Sequence, residues 1–470
     1  EYLFGVETGD TDYRQMSIDG VVTGEAWDLP AGALGIAAGF HYREDEIDDL
    51  PGAITRAGNT WGASRAGNTV GEDTTKAVFI ELDAPLVVDK PGFQNVTLNA
   101  SARYTDVDSY GDDTTWKVGL NWQITDSVRL RANKGTSFRT PALFELYLAD
   151  QTAFPSQRID PCRNWGVNLA NGTINQTVAD NCAADQSAIG GPAGGFAPDY
   201  TGGTISATSI TGGGFGVLEA ETSTSETIGI IWQPAFADLS VSIDYFDITV
   251  RDEVDQLGAS TIVEECYESE FGFAFDGTEG LCTLFDRTNS GFGIDNIRDS
   301  FLNIAEQTNR GIDYAIRYDT PVSDWGELSL DMKASKQIED KRALFADNVE
   351  DLNGTIGDPE WVGNFGASFY RGPLSIYYSG FYVGKSDSTR LLPGDGTIQY
   401  YGETYDAVMY TDAVTYHNLS VSYDWEELGI RALLGIANLT GEDPPPVTAV
   451  GGTDAEIQFV GNRALYSQYD

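Results

Sequence analysis

The stretch that most limits what this chain can fold into runs from Val96 to Tyr147. Within it, Leu98, Ala100, Ala102 and Tyr104 alternate with Thr97, Asn99, Ser101 and Arg103. Val118, Leu120, Trp122 and Ile124 alternate with Lys117, Gly119, Asn121 and Gln123. After the tight Thr125-Asp126-Ser127 connection, Val128, Leu130 and Ala132 alternate with Arg129, Arg131 and Asn133. A period of two predicts strands with one apolar and one wet face. Short connections make neighbours antiparallel, so one face of the sheet meets an apolar medium and the other meets water.

The pattern recurs along the chain. Tyr13–Trp27 reads as a strand, and Leu34, Ile36, Ala38, Phe40 and Tyr42 continue beyond the Asp28-Leu29-Pro30-Ala31-Gly32 turn. Further strands centre on Ile80, Ile230, Val241, Ile316, Leu330, Ala367, Ile376, Val421 and Leu434, giving about 14 full strands and a partial one at Tyr2–Val6. Past Tyr245 the apolar phase moves to Phe246, Ile248 and Val250, the mark of a bulge or a change of environment. Connections are expected to alternate without exception between short turns and long loops. Nothing imposes that rule on a soluble sandwich or propeller, whereas a membrane barrel keeps turns on one side and loops on the other. Trp27, Trp122, Trp232, Trp325 and Trp425 lie in or beside short turns, as an interfacial aromatic girdle requires. No apolar run approaches the ~18 residues of a membrane helix, but barrel strands need only ~9–11 each.

The formal net charge of −44 argues against a nucleic-acid partner. It suits a solvated exterior or, alternatively, carboxylates that collect divalent cations or a cationic ligand. Asp106, Asp108, Asp112 and Asp113 around Tyr110-Gly111 are the candidate calcium ligands, weighed against a solvated hairpin tip; no other cofactor is expected. With His41 and His417 the only histidines, a Ser-His-Asp triad has almost no candidates, and the chain does not read as an enzyme. Cys162 and Cys182, then Cys266 and Cys282, form two local pairs in polar loops. Three connectivities are possible; nearest-neighbour disulfides in an oxidising compartment are expected. Loop aromatics Trp61, Trp165, Tyr200, Tyr267, Tyr400, Tyr401 and Tyr405 are candidates for stacking on a ligand, against simple loop self-packing.

The run from Arg129 through Phe138, Arg139, Pro141, Glu145, Leu146 and Tyr147 resembles the strand-to-loop segment of TonB-dependent outer-membrane receptors. Gly39–Glu44, Arg103–Gly111, Asn309–Asp313 and Gly435–Pro445 resemble further segments of that family in order. The resemblance implies an all-β fold, a transmembrane antiparallel up-and-down β-barrel of about 22 strands with long extracellular loops and short periplasmic turns. Residues 1–470 then read as a partial barrel holding about 14–15 strands, with the N-terminal plug, early strands and final strand not included. It also implies residence in the Gram-negative outer membrane, contact with its lipid and lipopolysaccharide, and capture of a scarce solute such as a siderophore or oligosaccharide. Energy would come through TonB by way of the plug. A passive porin-like channel and a secreted acidic calcium-binding adhesin are the alternatives.

Overall fold

A computed structural model describes residues 6–59, 65–268, 280–345, 348–391, 397–400, 403–449 and 458–459. Among them, fourteen long strands form one sheet, each antiparallel to the next in chain order. They are β1 (Asp10–Leu29), β2 (Gly32–Leu50), β3 (Thr69–Lys90), β4 (Phe93–Val107), β5 (Gly111–Thr125), β6 (Val128–Arg139) and β7 (Glu221–Trp232). They continue as β8 (Asp238–Asp255), β9 (Leu302–Pro321), β10 (Glu327–Phe345), β11 (Trp361–Arg371), β12 (Leu374–Val383), β13 (Val414–Trp425) and β14 (Ile430–Ile436). A short strand, Asn348–Asp351, folds back on β10. No described helix is long and apolar enough to cross a membrane.

Register converts the strand patterns into one continuous surface. Directly opposed residues share a face, and Ile36 opposes Leu82, Leu82 opposes Ala100, and Ala100 opposes Val118. Further along, Leu130 opposes Ile230, Ile230 opposes Ile243, and Ile316 opposes Met332. Met332 then opposes Phe365, and Ile376, Val421 and Leu434 continue the face to the last strand. Ile80, Val118, Leu120, Ile228, Ile230, Leu330 and Leu434 on this face are exposed. A row of large aliphatic side chains left open across the whole sheet fits hydrocarbon, not water. On β5 the apolar face from Trp116 to Ile124 is ~26 Å along the strand at ~3.3 Å per residue, close to the ~25 Å band of a membrane barrel.

Each border of the band is marked. At the turn end Trp27, Trp232, Trp325 and Trp425 are exposed, and Trp122 stacks on Phe93 at 5.0 Å while its Nε1 donates to the Gly92 carbonyl at 2.9 Å. At the loop end Lys134, Glu226, Asp247, Arg310 and Glu339 oppose one another in sequence across five strands. Lys134 pairs with Glu226, and Arg310 bridges Asp247 at 2.9 Å and Glu339 at 2.7 Å.

Three sequence expectations need correction or completion. The turn–loop alternation has an exception: β4 and β5 are joined at the loop end by Asp108, Ser109 and Tyr110 alone. Pairing between β8 and β7 is unbroken from Val241 to Arg251, so the phase change at Phe246, Ile248 and Val250 is a change of environment and not a bulge there. Strands also run far past the band, β1 and β9 having 20 residues and β3 22, about twice the ~9–11 that a bilayer requires. The partial strand expected at Tyr2–Val6 falls, apart from Val6, outside the described residues. The hydrogen-bonded path has β1 at one edge and β14 at the other among the described residues.

Candidate functional site

Strand β6 ends at Arg139, and the residues after it fasten the longest loop to the wall. The Arg139 guanidinium donates to both oxygens of Glu145, at 3.0 and 3.1 Å, and to Glu221 at the start of β7. Glu145 also accepts the Ala142 N–H at 2.7 Å, satisfying a free donor at the start of the helix Leu143–Tyr147. Glu221 accepts the Val254 N–H of β8 at 2.9 Å. Pro141 is buried, and Leu146 packs with Leu218 and Val254. Phe138 meets Tyr110 edge to face at 6.2 Å. Tyr147 lies across Gly71 of β3, where an added Cβ would stand 2.1 Å from the ring; its hydroxyl donates to the Glu72 carbonyl at 2.9 Å. The motif therefore clamps the loop base to β3, β6, β7 and β8.

Above that clamp, residues 148–220 and the described residues 256–268 and 280–301 fold together as a cap with its own core. A three-stranded sheet joins them: Ser209–Thr211 pairs antiparallel with Gln151–Ala153 and parallel with Ile297–Arg298. Disulfides Cys162–Cys182 and Cys266–Cys282 lie inside the core beside Val178, Phe196, Ile262, Val263, Tyr267 and Ile294. At its centre Arg287, 1 % exposed, donates through Nη1 and Nη2 to the two Asp160 oxygens, both at 2.7 Å. Its Nε donates to the Tyr267 hydroxyl at 2.7 Å, which in turn donates to Gln186 at 2.7 Å. The guanidinium also lies 4.6 Å from the Phe196 ring centre. Burial works against the Arg287 charge, but Asp160 and Tyr267 more than offset it, so the guanidinium pKa is raised. Burial likewise pushes the Tyr267 and Tyr200 phenols up.

The structure sorts the expected ligand aromatics. Tyr267 is fully buried, which corrects its reading as an exposed stacking residue. Trp165 packs on the same core and its Nε1 donates to the Phe196 carbonyl at 3.1 Å. Tyr200 stacks on Phe196 at 4.1 Å and donates to the Gly291 and Phe292 carbonyls. All three hold the cap together. Tyr400 and Tyr405 belong to a short hairpin, Thr397–Tyr400 with Glu403–Asp406, in another loop; Trp61 and Tyr401 lie outside the described residues. The four aspartates do not converge either. Asp106 opposes Asp112, Asp113 opposes Thr105 on the other face, and Asp108 takes Lys76 at 3.2 Å. Among the described residues no group of three or more His, Cys, Asp or Glu side chains is placed to hold a metal. Sequence reasoning missed Arg287, Asp160, Gln186 and Glu221, none of which sits in a periodic run.

The polar face carries its own ion pairs. Arg131 and Asp244 reach across Gly229, meeting bidentately with both contacts at 2.7 Å. A Cβ on Gly229 would fall 1.8 Å from the Asp244 oxygen, so the bridge depends on glycine. With Asn133, Asp313, Lys333 and Asn364 this pair lines a cavity of about 610 Å³. Phe246 lines the cavity too, and Ile248 lies on the same face above it, toward the cap.

A wall of this kind, greasy outside and polar within, has a known counterpart. Residues 2–439 match the family model described as TonB dependent receptor-like, beta-barrel. The chain belongs to the TonB-dependent receptor family. The sheet is therefore barrel wall, its apolar face outward and its polar face lumenal. Among solved structures, the ferric enterobactin receptor PfeA of Pseudomonas aeruginosa is similar at TM-score 0.58 and 15 % identity, over 97 % of this chain and 52 % of that one. The siderophore receptor PirA of Acinetobacter baumannii is similar at TM-score 0.56 and 13 % identity, over 95 % and 53 %. Among curated proteins, the vitamin B12 transporter BtuB of Photobacterium profundum is 33 % identical over 70 residues, 15 % of this chain and 11 % of that protein. The receptor chain thus spans about half the length of these structures, and its matched segment a smaller part of BtuB.

Proposed function

We propose that this chain forms much of the barrel of an energised importer in the Gram-negative outer membrane. A scarce small solute, of the siderophore, corrinoid or oligosaccharide class, binds at the outer loops and is drawn through the lumen with energy transmitted by TonB. Further strands complete the wall, because bare edges at β1 and β14 would leave backbone groups unpaired in lipid, and a plug carries the contact to TonB. The family is one of transport receptors, not of enzymes. The observation that carries the reading is a cored cap clamped to β3, β6, β7 and β8 on a wall of this family. A folded cap suits solute capture better than a permanently open pore. The test is uptake of radiolabelled ferric siderophores and cobalamin by cells carrying the full-length receptor, with and without TonB. Accumulation of one of them only when TonB is present is expected; equal uptake without TonB would replace the reading with a passive channel.

A further inference from the structure

Strand β8 is irregular where it leaves the wall for the cap. Its register with β9 shifts between Val250 and Glu253 and again between Glu253 and Val254. Asp252, just before Glu253, takes a left-handed backbone with φ 58°. The Asn303 side chain fixes the kink, donating to the Asp252 carbonyl at 2.7 Å and to the Glu219 carbonyl at 2.9 Å. Bulges re-aim the side chains beside them. Here that residue is Glu253, beyond the Asp247 row that borders the membrane band. Its Oε2 is buried and has no hydrogen-bond partner among the described residues.

The cations around it are committed elsewhere. Arg139 of β6 is held by Glu145 of the loop helix and Glu221 of β7, and Arg342 of β10 by Asp255 of β8. From β9, Ala305 stands opposite Glu253, and Glu306 is taken by Arg251 at 3.2 Å. From the cap, Asp299 adds a further carboxyl close to Asp255. Glu145, Glu221, Glu253 and Asp255 thus share two guanidiniums, and Glu253 is the carboxylate left over. Burial raises its carboxyl, and so do the like charges of Glu221 and Asp255, against lowering by Arg342 and Arg139. This knot lies at the foot of the cap. Val254, the next residue, packs on Leu146 and Leu218, and its N–H donates to Glu221 at 2.9 Å.

We propose that Glu253 is a proton-operated latch on the cap. Protonated, it leaves each arginine to its own carboxylates, and the cap sits firmly on the wall. Ionised, it adds an unpartnered buried charge beside Glu221 and Asp255, and the foot of the cap loosens. The proton is held more tightly in the folded receptor than in the unfolded chain. Seating is therefore full below the ordinary glutamate value of about 4.3 and is lost as pH rises through the folded value. Full-length receptor in nanodiscs would be followed by hydrogen exchange at the Val254 amide, corrected for the intrinsic pH dependence of exchange. An Asp299→Asn background removes the other raised carboxyl nearby. Protection should fall about threefold or more between about pH 4 and about pH 8. Glu253→Gln should abolish the step and keep the acid level of protection at neutral pH. Asp255→Asn, which removes a like charge and frees Arg342, should move the midpoint to lower pH. Glu306→Gln is the control and should leave the step in place. No step in the parent, a step that survives Glu253→Gln, or a step lost equally in Glu306→Gln would each overturn the latch. So would a midpoint unmoved by Asp255→Asn, which decides the matter even where Glu253→Gln fails to insert. The measurement needs neither solute nor TonB, so its failure leaves the transport reading standing.

Discussion

Single side chains on this wall are judged by what lies on each side of it. Leu330 is 38 % exposed on the outward face, between Tyr318 and Ala367 on its neighbours. Leu330→Arg places a charge against hydrocarbon, and a refolding titration in lipid should show a loss of ~2–4 kcal/mol, less if the position sits near an interface. Lys333→Ser, three residues away on the lumenal face, should stay within ~0.5 kcal/mol. Equal effects would mean that the two faces are not solvated differently. Arg287 obeys another rule, because it is buried in protein and paired with Asp160. Arg287→Ala leaves that carboxylate stranded, and proteolysis of the cap should report ~3–5 kcal/mol of lost local stability.

At the level of elements, the sequence showed strands wherever their two faces meet different media. Val118–Ile124 reads as a strand because one side touches lipid. Residues 43–50 belong to β2 and 69–76 to β3, but polar residues dominate both faces there, with Ile47, Leu50 and Val70 too scattered to alternate, so the pattern that announces a strand vanishes. The cap was invisible for a related reason: its core draws on scattered positions such as Phe196, Ile262 and Ile294, with no repeat to reveal them. Its cysteines were the one legible signal, and the pairing they suggested is the one observed. Tyr267 misled because a polar stretch around an aromatic reads as surface, whereas Arg287 and Gln186 satisfy that hydroxyl in the interior.

The cap's titration follows from the same burial. Burial raises the Asp299 carboxyl, against a lowering hydrogen bond from the Gly258 N–H at 3.0 Å. Its proton is held more tightly in the folded cap than in the unfolded chain. Stability from this group is therefore full below the ordinary carboxylate range, about pH 4, and is lost as pH rises through the folded value. Asp299→Asn keeps an acceptor for Gly258 and should make the cap more protease-resistant than wild type at neutral pH, with the gain vanishing in acid. A gain that persists at about pH 3 would point to a cause other than titration. Reduction of the two disulfides should open the same unit, by an amount of about 2–5 kcal/mol per bridge in limited proteolysis.

For the whole molecule, the question is how a cap stays registered to a wall built to face lipid. Arg139 answers it by joining Glu145 of the loop to Glu221 of the wall, while Glu221 holds β8 through Val254. Arg139→Met removes the guanidinium but keeps the bulk of its stem, leaving two acidic groups close together without a cation between them. The wall has long hydrogen-bonded ladders of its own on both flanks, from Val128 to Arg139 and from Val241 to Arg251. The variant should therefore fold into the membrane and keep its heat-modifiable mobility on gels. What should change is the cap: faster proteolysis within residues 148–220, and a solute dissociation constant raised about tenfold, which corresponds to ~1.4 kcal/mol. Glu145→Gln, which keeps a hydrogen-bonding oxygen for Arg139 and for the Ala142 N–H, should be the milder change. If Arg139→Met abolishes membrane insertion instead, the motif serves the folding of the wall and not the seating of its cap.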